Sequence, residues 1–159
     1  MGPVISVVGG ASAGEEDCQR AERVGRLLSE AGAVVLNGGY TGVMEAASRG
    51  ASQAGGLVIG LLRGTDRNEG NEHLSVALAT GMGKGRNTVI AIACDAMIAV
   101  DGGYGTLSEV AQALNHGRPV VALGSWDLPS AGGVSRELFH VVSSPEEAVA
   151  RALDLAASR

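Results

Sequence analysis

The sequence predicts an α/β fold of the Rossmann-like, three-layer kind, a mainly parallel sheet with helices on both faces. Three observations carry that expectation. Short apolar runs alternate with helix-spaced segments from one end of the chain to the other. Glycine, 25 of 159 residues, clusters between them. Hydrophobic residues make up 45% of the chain but aromatics only 3%, so the core is built from Val, Ile, Leu and Ala. That mix suits strands buried on both faces. The length fits one domain, taken as residues 1–159, with a real core.

The elements follow in order. Val4 to Val8 is an apolar run ended by Gly9-Gly10. A helix is expected from about Glu15 to Ala31, with Val24, Leu27 and Leu28 at helical spacing and Gly32 as its stop. Ala33 to Leu36 is the second strand, and a small-residue helix runs from Val43 to about Ala54. Leu57 to Leu61 is the third strand; a polar loop, Arg63 to Glu72, leads to a short strand at Leu74 to Ala79. A basic glycine turn, Gly81 to Asn87, opens a helix reaching Ala93, and Ala96 to Val100 is the fifth strand. The next helix reaches about Asn115, Gly117 ends it, and Pro119 to Leu123 is a strand. Ser125 to Val134 is a Ser-, Gly- and Pro-rich loop, and Leu138 to Val142 an edge strand. Ser144-Pro145-Glu146-Glu147 is a helix start, with Ser as cap, Pro at the first position and Glu147 closing a capping box.

Composition narrows the function. A net charge of −5 and a pI near 5.1 argue against a nucleic-acid surface, which needs a basic stripe. Cys18 and Cys94 have no metal or redox spacing and read as reduced thiols. His73, His116 and His140 are scattered, and no metal or cofactor is called for. No apolar run approaches the roughly 20 residues of a membrane span, and the chain starts directly with a strand, so a cytoplasmic protein is expected.

Two segments echo one another: Gly38-Gly39-Tyr40 followed by Glu45, and Gly102-Gly103-Tyr104 followed by Glu109. Each follows an apolar run and opens a helix. Such a turn leaves backbone N–H groups free at a helix N-terminus, where the dipole favours an anion such as phosphate. Four glycine-rich turns fall at strand ends or helix starts: Gly9 to Gly14, Gly38 to Gly42, Gly81 to Gly85 and Gly102 to Gly105. Ligands of open parallel sheets bind beyond the carboxyl ends of strands, so a phosphorylated ligand is expected there. The turns lack GxGxxG, the second strand ends in Leu36-Asn37 rather than an acid, and there is no GxxxxGK[ST]. Met97 to Asp101 looks like a Walker B strand but has no P-loop partner. Arg86 and Lys84 are the best cations for the cleft, and Glu109 is a general acid or an orienting carboxylate. Ser108 and Thr106 have no adjacent base for nucleophilic catalysis.

Gly38-Gly39-x-x-Gly42-x-Met44, then Arg86, then Gly102-Gly103-x-Gly105-Thr106-x-x-Glu109, resembles the LONELY GUY (LOG) family. Its PGGxGTxxE signature once led to the label lysine decarboxylase. The resemblance spans Val4 to about Val142. It implies a Rossmann-like domain, usually a homodimer, that cleaves the N-glycosidic bond of nucleoside 5′-monophosphates. It matches Arg86 and Glu109 to the catalytic pair and Gly102 to Thr106 to the ribose-phosphate loop. Two positions depart: Asp101 stands where the signature has Pro, and Asn87 where the enzymes have Lys after the catalytic Arg. Both look more like a sister branch that includes the molybdenum cofactor carriers, which bind a pterin phosphate compound and need not turn it over.

The expected activity is therefore binding of a phosphorylated, nucleotide-like ligand, as a phosphoribohydrolase or as a carrier or sensor of a phosphorylated pterin or nucleotide. Arg86 and Glu109 are the expected catalytic residues. Gly10, Ser12, Gly38, Gly39, Gly42, Met44, Lys84, Asn87, Gly102, Gly103, Tyr104, Gly105 and Thr106 are the expected ligand-binding set. The expected partners are that ligand and, by resemblance, a second copy of the chain.

Overall fold

Seven parallel strands form one sheet in this structure, a computed structural model that describes residues 2–128 and 137–158. The strands are β1 (Val4–Gly9), β2 (Val34–Asn37), β3 (Val58–Leu62), β4 (Val76–Ala79), β5 (Ala96–Val100), β6 (Val120–Leu123) and β7 (Phe139–Val142). The helices are α1 (Glu15–Glu30), α2 (Val43–Gln53), α3 (Arg86–Ile92), α4 (Tyr104–Asn115) and α5 (Pro145–Ala157). The order across the sheet is β4-β3-β2-β1-β5-β6-β7, every pairing parallel. This is the three-layer Rossmann-like architecture the alternation predicts. The chain winds outward from β1 to β4, then crosses back to place β5 on the other side of β1. That reversal opens a crevice at the carboxyl ends of β1 and β5, where ligands of doubly wound sheets bind.

Alternation along the strands builds two cores. Ile5 and Val7 of β1 and Ala96, Ile98 and Val100 of β5 face α1, α2 and α5. Val8 of β1 and Met97 and Ala99 of β5 face α3 and α4. Small residues bring α1 and α2 into backbone contact: a Cβ on Gly25 would lie 2.0 Å from the Ala47 carbonyl oxygen, and one on Gly50 only 1.9 Å from that of Glu22.

Most expected boundaries shift by one or two residues. The strand expected from Leu74 begins at Val76, because Leu74 turns inward to fill the space above Gly39 and Gly60. Ser144 Oγ accepts from the Glu147 N–H as a capping box requires, but the Glu147 carboxylate reaches one residue further back, accepting from the N–H and hydroxyl of Ser143. Positions 129–134 of the expected loop lie outside the described residues. Cys94 is buried, and burial pushes its thiol pKa up.

Gly25→Ala should destabilise the protein by about 1–3 kcal/mol, the clash with Ala47 outweighing the better helix propensity of alanine. Thermal denaturation measures it, with an expected fall of several degrees.

Candidate functional site

A cleft of about 450 Å³ opens at the β1/β5 crevice, within the range of small-molecule sites. Its floor is Gly9 and Gly10 at the end of β1. One wall is the first turns of α4, from Gly103 to Thr106, with Ser108 and Glu109. The other carries Tyr40, Met44, Arg63, Lys84, Arg86 and Asn87.

The α4 wall is a helix start of the kind the sequence marks for an anion. No side chain caps this 12-residue helix and no acid lies in its first turn. The turn before it is built on two positive φ angles, 53° at Asp101 and 122° at Gly102. Gly102 also makes room for Thr106, whose side chain a Cβ there would meet at 2.4 Å. The first GGY turn behaves differently. The N–H of Val43, first in α2, donates to the Gly10 carbonyl, and the Thr41 hydroxyl donates to that of Ala11. A Cβ on Gly42 would strike those same carbonyls. The α2 terminus is thus closed by the β1–α1 loop, while the α4 terminus faces the cleft.

Arg86 is 5% exposed and sits at the start of α3. Its Nη1 donates to the Leu61 carbonyl at 2.7 Å. Among the described residues its Nε is buried without a hydrogen-bond partner, and Arg86 lines the cleft. Burial lowers the guanidinium pKa and nearby Arg63 adds to this, while Glu109 opposes them. Gly38 matters here although it does not line the cleft, since a Cβ on it would lie 2.3 Å from Arg86 Nη1 and 2.6 Å from Met44 Sδ. Glu109 is 8% exposed. Burial raises its pKa to about 7 against the attraction of Arg86. No hydrogen bond to its carboxyl is found among the described residues, and no ion pair within 4.0 Å joins it to Arg86. Both residues line the same cleft.

Of the expected ligand-binding residues, Gly10, Met44, Lys84, Asn87, Gly103, Tyr104, Gly105 and Thr106 line the cleft. Gly38, Gly42 and Gly102 stand behind it and make room for residues that do. Gly39 packs on Leu62, Leu74 and Gly60. Ser12 is exposed on the β1–α1 loop, outside the cleft wall. Glu45 does not line it either; its charge acts on Arg49. Asn37 is structural: its amide donates to the Met44 carbonyl and the Ser48 hydroxyl while its oxygen accepts from the Gly39 N–H. Sequence reasoning missed Tyr40 and Arg63. The Arg63 guanidinium stands 5.0 Å from the Tyr40 ring centre, and the Tyr40 hydroxyl accepts from the Arg63 N–H. Only the aromatic position of the GGY turn hinted at this. Asp101 turns its carboxylate over Gly10, where a Cβ would come within 2.8 Å of Oδ2. Its φ of 53° is closed to proline, which is held near −65°. The Asp101 departure from the LOG signature is thus a change of backbone as well as of side chain.

A parallel sheet with a cation-lined cleft and an open helix N-terminus at its switch point defines a Rossmann-like domain suited to a small anionic ligand. Residues 2–153 match the SLOG cluster4 family, and the chain belongs to that family, a small branch of the LOG-like superfamily. It is 42% identical over 145 residues to an uncharacterized protein of Archaeoglobus fulgidus, covering 91% of each chain. Among solved structures, it is similar to the molybdenum cofactor binding protein from the phototrophic bacterium Rippkaea orientalis, at 37% identity and a TM-score of 0.87 over 95% of both chains. It is also similar to the molybdenum cofactor carrier protein MCP from Chlamydomonas reinhardtii, at 33% identity and a TM-score of 0.86 over 99% of both. No helix among the described residues is long and apolar enough to cross a membrane.

Two outcomes follow from the site. The unfolded chain holds the Glu109 proton only below about pH 4.5, and the folded chain holds it up to about 7. Between those values the folded state binds more protons, so stability should fall as pH rises through that window, by about 3 kcal/mol. In melts at pH 4.5 and 8, Glu109→Gln should lose that decline and be the more stable protein at pH 8. Asp101→Pro should destabilise by more than about 1 kcal/mol, read as a lower denaturant midpoint.

Proposed function

We propose that this protein is a carrier: it binds a phosphorylated pterin of the molybdenum cofactor class and releases it unchanged. In this reading the phosphate lies against the free N–H groups at the start of α4, with the Thr106 hydroxyl beside it. Arg86 supplies Nη2, already aimed by the Leu61 carbonyl, and exposed Lys84 supplies a second positive charge at the rim. Glu109, half protonated near neutral pH, donates or accepts one hydrogen bond to the bound molecule. The observation that carries this reading over hydrolysis is the turn at Asp101, whose left-handed backbone and carboxylate beside Gly10 depart from the Pro of the LOG hydrolase signature. Asn87, on the cleft wall where those enzymes have Lys, points the same way. The names of the two similar structures support it.

A second reading, hydrolysis of a nucleoside 5′-monophosphate, is favoured by one observation. A carboxyl with a pKa near 7 is suited to general acid catalysis. Glu109 would protonate the departing base while water adds to the anomeric carbon.

The test is incubation with molybdenum cofactor released from a molybdoenzyme, followed by gel filtration and elemental analysis. About one molybdenum per chain should stay with the protein, and Arg86→Gln should weaken retention about 10-fold or more. A parallel incubation with adenosine monophosphate should release no adenine. Adenine release that disappears in Glu109→Ala, with no molybdenum retained, would establish the hydrolase instead.

A further inference from the structure

Aromatic side chains are scarce in this chain: one Trp, one Phe and two Tyr. All except Phe139 gather at the cleft or directly behind it. Tyr40 stands on the β3 side with Arg63 against its ring. Tyr104 opens α4 on the other side, where it lines the cleft although 85% of it is exposed. Trp126 does not line the cleft; it stacks on Tyr104 with ring centres 6.3 Å apart and planes 24° from parallel. Its indole N–H donates to the Gly103 carbonyl at 3.2 Å, which ties the pair to the start of the helix.

A large apolar ring left in water at the first position of a helix gains nothing for the fold, since the burial that stabilises an aromatic is missing. Here a pinned indole stands offset against the ring, and among the described residues 85% of Tyr104 stays exposed, which leaves a free face. A second flat ring laid on that free face would extend the stack, and stacking of this kind tolerates any planar heterocycle. The N–H groups that attract an anion start at the same residue, so a bound molecule can place its phosphate on the helix axis and its ring on Tyr104.

We propose that Tyr104, braced by Trp126, is the platform on which the cleft stacks the bicyclic heterocycle of a phosphorylated ligand, a pterin or purine, and that it selects ring-bearing phosphates over bare sugar phosphates. The proposal rests on the reading of the cleft as a site for a phosphorylated heterocycle. Tyr104 and Trp126 position the ring, and the cations opposite hold the charge. Trp126, the sole tryptophan, reports on the platform through its emission.

Calorimetric titration with guanosine monophosphate and with ribose 5-phosphate tests it on the wild-type chain, Tyr104→Ser and Tyr104→Phe. Tyr104→Ser should weaken guanosine monophosphate by about 5- to 100-fold and leave ribose 5-phosphate unchanged, and Tyr104→Phe should restore the affinity. Guanosine monophosphate, and not ribose 5-phosphate, should shift or quench the Trp126 emission. Equal loss of both probes in Tyr104→Ser, or loss of neither, overturns the platform while leaving the phosphate cleft in place. Failure of the wild-type chain to bind either probe overturns the reading of the cleft itself and the platform with it.

Discussion

The site depends on a buried guanidinium that the protein satisfies only in part. Among the described residues Arg86 is held by one carbonyl, that of Leu61 at the carboxyl end of β3, and its Nε has no partner. Taking a charge out of water without full pairing is unfavourable. The surrounding residues nevertheless commit to it: Gly38 has no side chain because a Cβ would enter the space of Nη1, and Met44 and Tyr40 close around it. The nearest carboxyl, Glu109, is held off beyond ion-pair distance and is itself pushed toward protonation. An anionic ligand would supply the missing neutralisation.

The sheet makes this arrangement possible. On one face of the sheet α3 and α4 pack side by side, so that a cation from one and an open helix terminus from the other line the same space. Gly9 is needed because β1 approaches β5 so closely there that a Cβ would lie 2.1 Å from the Val100 carbonyl oxygen. On the opposite face of the sheet, Gly25 and Gly50 draw α1 and α2 together. The two cores divide the labour: one is a tight apolar layer, the other carries the site.

The two GGY turns show how similar local sequences come to different ends. Both follow a strand and open a helix. At Asp101–Gly102 the chain turns through two positive φ angles and leaves the α4 terminus facing the cleft. At Gly42 the β1–α1 loop lies across the helix start and takes its first N–H. Which turn receives a ligand is set by what packs over it, a long-range matter that no local pattern encodes.

By itself the sequence determined the α/β class and the order of the elements, and it marked Arg86 and Glu109, which the fold brings to one cleft. Apolar periodicity and glycine punctuation are local properties, and they survive intact in the fold. The tertiary structure decided the rest. It made Leu74 a plug instead of a strand residue, gave Gly38 and Gly42 the task of clearing space, and brought Tyr40, Arg63 and Trp126 to the site from distant parts of the chain. It also raised the Glu109 pKa, because desolvation depends on what surrounds a carboxyl in space and not on its neighbours along the chain.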